Sequence, residues 1–225
     1  MDIVESATWR PYGGFSTAVV IDSRFAYLLP DAMLSERAAV LMCAGITVFS
    51  PLRSLAGEPG RKVGIIGIGG LGHLAIQFAH ALGYEVSAIS SHSDKKNEAT
   101  AFGADEFIIA ERDNLKAYEF EFDLLLCTAP SKLDWESLLM SLKKRGQLIL
   151  VGFPDVAFNS TDLVAHDLSI RGSLLGNHAQ LCDMLSFAQD YDIKPIVEVF
   201  PMSEVNNVIQ RVRLGQGRYR IVLAP

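Results

Sequence analysis

The chain has 225 residues, enough for one large domain or for one domain with part of a second, and enough to bury a substantial core. Hydrophobic residues make up 49% and charged residues 20%, the balance of a soluble globular protein. The net charge of −6 comes with no basic cluster, which argues against nucleic acid as a partner, because phosphate binding needs concentrated Lys and Arg.

Residues 1–57 open without the basic region and apolar run of a secretory signal. A Gly-Gly turn leads to a short predicted strand, Ser16 to Ile21. A helix-rich stretch follows from Ser35 to Ala56, interrupted by Gly45 and Pro51. Cys43 lies in it; Cys127 and Cys182 are far away, and no CxxC pair exists. Such spacing implies no disulfide framework, no cysteine-rich zinc lobe and a reducing cytoplasm.

From Arg61 onward, short apolar runs alternate with helical segments. Strands are predicted at Lys62 to Ile66, Glu85 to Ser90, Glu106 to Ile109, Phe122 to Leu126, Gln147 to Val151 and Leu168 to Leu174. Helices are predicted at Leu71 to Leu82, Lys95 to Phe102 and Trp135 to Leu142. This alternation implies a parallel sheet covered on both faces, a doubly wound α/β domain. The apolar segment Val63 to Gly83 could mimic a membrane span. Its glycines, with His73, Gln77 and His80, break the continuous apolar run that a span needs. Beyond residue 177 come a helix (Ala179 to Tyr191), a strand (Ile196 to Val199), a helix (Ser203 to Arg213) and a last strand (Tyr219 to Leu223).

The chemistry concentrates at Gly67-Ile68-Gly69-Gly70-Leu71-Gly72, a G-x-G-x-x-G between a strand and a helix. There Gly67 permits the tight turn, Gly69 lets backbone approach a pyrophosphate, and Gly72 lets helix and strand pack closely. The helix N-terminus adds free N–H groups and a positive dipole. The second strand selects the cofactor. An NAD enzyme usually ends it with a carboxylate for the ribose 2′-hydroxyl. Here the strand ends Ile89-Ser90-Ser91-His92-Ser93-Asp94-Lys95. Small hydroxyls leave room for a 2′-phosphate and Lys95 supplies charge, so NADP(H) is favoured, with Asp94 as the opposing charge. The missing carboxylate also counts against the S-adenosylmethionine enzymes that share a glycine loop.

Five stretches together resemble the zinc-type alcohol dehydrogenases of the medium-chain dehydrogenase/reductase superfamily, cinnamyl alcohol dehydrogenase branch. They are Tyr12-Gly13-Gly14-Phe15-Ser16, Leu41 to Leu52, the Gly67 to His73 loop, Ile89-Ser90-Ser91 with Lys95, and Arg218-Tyr219-Arg220-Ile221-Val222. The resemblance implies a Rossmann domain over 45–177, with remnants of a GroES-like catalytic domain at 1–44 and 178–225. It implies hydride transfer between a primary alcohol or aldehyde and NADP(H), in a homodimer joined through the last Rossmann strand. Cys43 matches a catalytic zinc ligand and Thr47 a residue beside the nicotinamide. Ser90, Ser91 and Lys95 match the 2′-phosphate site, and Thr128 lies near the adenosine ribose. Val151, Gly152, Ser173 and Leu175 match strand ends lining the nicotinamide pocket.

The family's other zinc ligands, its proton relay and its four structural-zinc cysteines do not occur in these 225 residues. Catalytic zinc needs three protein ligands. No complete zinc site is therefore expected, and Cys43 is expected to be a buried, inert thiol. His73, His80, His92, His166 and His178 are each expected to be surface or satisfied histidines. The alternative to an alcohol dehydrogenase is a truncated or degenerate protein that only binds cofactor or dimerises. A third possibility has a separate chain supplying the missing segment.

Overall fold

The computed structural model describes residues 14–55, 60–130 and 132–225. The Tyr12-Gly13 start of the first resembling stretch, Ala56 and the opening residues therefore lie outside the described residues.

Six parallel strands form the central sheet: β1 (Lys62–Ile66), β2 (Glu85–Ser90), β3 (Glu106–Ile109), β4 (Phe122–Cys127), β5 (Leu142–Leu150) and β6 (Ser169–Gly172). Their order is β3-β2-β1-β4-β5-β6, that of two βαβαβ halves meeting between β1 and β4. Successive side chains point to opposite faces of a strand, and the core divides accordingly. Val63, Ile65, Leu124 and Leu126 enter one cluster with Phe49, Leu74 and Phe78. Ile66, Leu125 and Cys127 enter the other with Leu115, Trp135 and Leu138.

The helices covering the first face are α2 (Ile46–Arg53), α3 (Gly72–Ala81) and α8 (His178–Asp190). Phe49, Phe78 and Phe187 meet there with ring centroids 5.2, 5.3 and 6.2 Å apart. The second face is covered by α5 (Arg112–Lys116) and α6 (Trp135–Met140), whose Leu115, Trp135, Leu138 and Leu139 are buried in its cluster. On the first face α4 (Lys96–Ala101) adds the buried Ala99, and on the second α7 (Ser160–Ala165) packs the partly buried Leu163. A separate two-stranded parallel sheet joins β7 (Val197–Pro201) to β8 (Arg220–Ala224), connected through α9 (Val205–Arg213).

Several expectations need correction. No strand forms over Ser16 to Ile21; the only regular element there is a short 3-10 turn, Ser23–Phe25. Val20 is almost wholly exposed; an extended segment without a pairing partner makes no ladder. Neither Gly45 nor Pro51 breaks the helical stretch. Ser35–Val40 (α1) runs into a π turn, Leu41–Gly45, and then into α2 with Pro51 inside it. The strand expected over Leu168 to Leu174 is limited to four residues, 169–172. Conversely, β5 starts at Leu142 rather than Gln147. Phe122 pairs with Leu142 and Leu124 already with Gln147, so the polar Lys143-Lys144-Arg145 run, with Arg145 left-handed (φ 65°), is bulged out of the ladder.

Candidate functional site

All six strands point the same way, so their C-terminal ends share one rim of the sheet. The rim is deepest between β1 and β4, where strand order reverses and ligands of such sheets bind. Gly67 turns the chain there with φ +89°, a left-handed conformation that suits glycine. A Cβ on Gly72 would come within 1.8 Å of the Gly67 carbonyl oxygen. The start of α3 is thus pressed directly against the turn. At Gly69 a Cβ would meet nothing within 4 Å; this glycine keeps a free space open beside the backbone.

A pocket of about 190 Å³ opens at this point. It brings together Gly67, Ile68, Gly69, Ser90, Ser91, Lys95 and Thr128. Gly70, Leu71 and Gly72 stand behind it. Ser90 is buried, and its hydroxyl oxygen accepts the His92 N–H at 3.2 Å, which folds the β2 tip inward. Ser91 is exposed, and Lys95 follows in a 3-10 turn, Ser93–Lys95. The Thr128 hydroxyl lies 3.1 Å from the Ile66 carbonyl and 2.9 Å from that of Gly67, so it braces the glycine turn from β4.

The remaining predicted residues spread along the same rim outside this pocket. Val151 and Gly152 both donate N–H to the Cys127 carbonyl, at 3.0 and 3.1 Å. Gly152 fits because a Cβ there would strike the Ala129 oxygen at 2.8 Å. Ser173 donates to Leu150 at 2.9 Å, and Leu175 is exposed. Thr47 is buried, its hydroxyl donating to the Cys43 carbonyl at 2.8 Å.

Cys43 is exposed, not buried. The π turn explains the difference: the extra residue in its ring sends Cys43 outward while Leu41, Ala44 and Gly45 stay buried. Its thiol borders a second pocket of about 280 Å³, shared with Phe15, Ala39 and Arg220. Nothing in that lining completes a metal site, and Arg220 places a cation beside the thiol. Among the described residues, no three His, Cys, Asp or Glu side chains gather to hold a metal ion. The described residues alone therefore do not fit the family's catalytic zinc.

Two further features brace the site, His73, expected as a surface or satisfied histidine, and a contact from the far end of the sequence. His73 is fully buried behind the glycine loop. Its Nδ1 donates to the Gly69 carbonyl at 3.1 Å, while Nε2 accepts the Ile196 N–H at 3.3 Å. Burial pushes the imidazole pKa down to about 4, with Arg220 and Lys95 adding to the shift and the Gly69 hydrogen bond opposing it. The second feature comes from the chain's far end. Arg220 Nε donates to the Gly70 carbonyl at 2.9 Å, and the Tyr219 ring lies 5.0 Å from Lys95 Nζ. The Arg-Tyr-Arg motif was visible, but a contact across 150 positions has no local signature.

The zinc-binding dehydrogenase family matches residues 70–190, more than half of the chain. The chain belongs to that family. It is 39% identical over 215 residues to the Bacillus subtilis protein named "Probable formaldehyde dehydrogenase AdhA", covering 94% of this chain and 62% of that protein. A cinnamyl alcohol dehydrogenase from Sorghum bicolor superposes with a TM-score of 0.81 at 34% identity, over 87% of this chain and 57% of that one. A second, from Helicobacter pylori in complex with NADP(H), gives 0.75 at 30% identity, over 87% and 56%. The chain spans about three fifths of the length of the curated relatives it matches. No helix among the described residues is long and apolar enough to cross a membrane.

Proposed function

We propose that this chain binds NADP(H) and forms the cofactor-binding part of an alcohol dehydrogenase. The complete enzyme would transfer hydride between a primary alcohol or aldehyde and the nicotinamide. The observation that carries the reading is the pocket joining the glycine turn to a β2 tip of Ser90, Ser91 and Lys95 without a carboxylate. The pyrophosphate would lie over Gly67–Gly72 and the 2′-phosphate against the two serines and Lys95, with Thr128 near the ribose. Val151, Gly152, Ser173 and Leu175 would flank the nicotinamide, which supplies or accepts the hydride when bound. On this reading 45–177 hold the cofactor, whereas 1–44 and 178–225 belong to the catalytic unit. The three free thiols are in keeping with a reducing, cytoplasmic setting.

Fluorescence titration with NADPH and NADH tests the reading. A charge-assisted lysine–phosphate contact contributes about 1.5–3 kcal/mol, so NADPH should bind at least tenfold more tightly. Equal or reversed affinities would remove it. The 225 residues alone should hold less than one zinc per chain and reduce aldehydes poorly, because no companion ligands gather around Cys43 among the described residues. One tightly held zinc, lost in Cys43→Ser, or turnover in the ordinary enzyme range of about 1–1000 per second, would overturn that part.

A further inference from the structure

Lys95 stands at the mouth of the adenosine pocket, yet its position is set from outside the Rossmann unit. The Tyr219 ring faces its ammonium, 5.0 Å from centroid to Nζ. That ring is held on every side. It packs on His73 with centroids 4.7 Å apart and edge-on to Phe102 at 5.6 Å. Its hydroxyl donates to Glu98 Oε2. The residue is itself left-handed, with φ 59°, a conformation that a bulky side chain keeps only when its surroundings fix it.

Glu98 is the carboxylate that would otherwise compete for Lys95. Both of its oxygens are engaged, Oε2 by Tyr219 and Oε1 by Arg218. Arg218 is anchored in turn, its backbone N–H donating to Glu198 at 2.7 Å. Residues 218 and 219 therefore do two things: they occupy both oxygens of a carboxylate near Lys95 and offer its ammonium an aromatic face. A lysine held over a ring loses less conformational freedom when it meets an anion than a free one does.

We propose that Tyr219 is a positioning residue for 2′-phosphate selectivity, presenting Lys95 to the pocket and occupying one oxygen of Glu98. This rests on the NADP(H) reading above. It assigns control of cofactor choice to a residue outside the pocket lining, on the segment entering β8.

The test is a double-mutant cycle on the full chain, with the ratio of NADH to NADPH dissociation constants as readout. Tyr219→Leu should lower the ratio about three- to tenfold, with NADH affinity unchanged. In a Lys95→Ala background the same substitution should have no further effect. Tyr219→Phe keeps the ring but frees Oε2 of Glu98, leaving Oε1 on Arg218. It should reduce the ratio by a smaller factor, and Glu98→Gln should restore it. A purely structural role would weaken both cofactors equally and leave the ratio intact, which overturns the proposal. A preserved NADPH preference that Tyr219→Leu does not alter overturns it while sparing the NADP(H) reading. A parent chain with no NADPH binding overturns both.

Discussion

His73 shows how one side chain ties the cofactor loop to the rest of the molecule. Its imidazole bridges the Gly69 carbonyl and the Ile196 N–H as the neutral form with the proton on Nδ1. The folded pKa of about 4 lies below the free value of 6.5. The unfolded chain therefore takes up a proton first as pH falls. The stabilisation is complete above about pH 6.5, is lost as pH drops towards 4, and amounts to at most ~3 kcal/mol. Urea titrations at about pH 7.5 and about pH 5 should show the loss in the parent and a shallower one in His73→Gln. Equal slopes would remove His73 as the source. Thiol chemistry offers a second check. Cys43 and Cys182 are exposed, whereas Cys127 is buried with its thiol pKa raised to about 11. A thiol reagent should label two sites in the native chain and the third only on unfolding. Protection of Cys43 would contradict the outward turn of the π segment.

At the scale of elements, the loop's glycines divide by what their missing side chains avoid. Gly72→Ala would force a methyl group into the Gly67 carbonyl, so the turn and the start of α3 must move apart. A loss of several kcal/mol of stability is expected, with cofactor binding abolished. A Cβ at Gly69 would meet nothing within 4 Å, so Gly69→Ala should keep the parent's melting temperature within a degree or two. It should still weaken NADPH at least tenfold, because the methyl group enters the space proposed for pyrophosphate. Equal thermal losses in both variants would show that the open space at Gly69 has no such use. The strands were legible in the sequence because buried parallel strands are continuous apolar runs; β1, β2 and β3 match their predicted ranges. The short α5 and α7 escaped. One is a five-residue polar turn, and the other starts from an Asn159 cap without an apolar periodicity to announce it. Ser90, Ser91 and Lys95 could be paired with the glycine loop from local order alone. Tyr219 could not, because nothing near it in sequence says that it faces Lys95.

Across the whole molecule, the sheet is covered on both faces but open at β6. We expect the chain to form a homodimer through this edge, β6 against its symmetry mate, because unpaired strand groups invite pairing. Arg171 would repel its counterpart if the two met directly. Its Nη2 is instead drawn 3.2 Å from Ser54 Oγ in the same chain, which relieves that opposition. Light scattering at micromolar concentration should give a mass near twice 24.6 kDa. A monomer would remove the edge pairing, and large soluble aggregates would point to the exposed apolar residues around Phe15 and Val20 instead.

The bond from Arg220 to the Gly70 carbonyl, 150 positions apart, also orders events in time. During synthesis the six strands can emerge and begin to pair while the glycine loop still lacks its outer brace. At about 10 residues per second, the loop waits roughly 15 s for its arginine. The loop is then expected to reach its braced form only after Arg220 has left the ribosome, well after the six strands of the sheet.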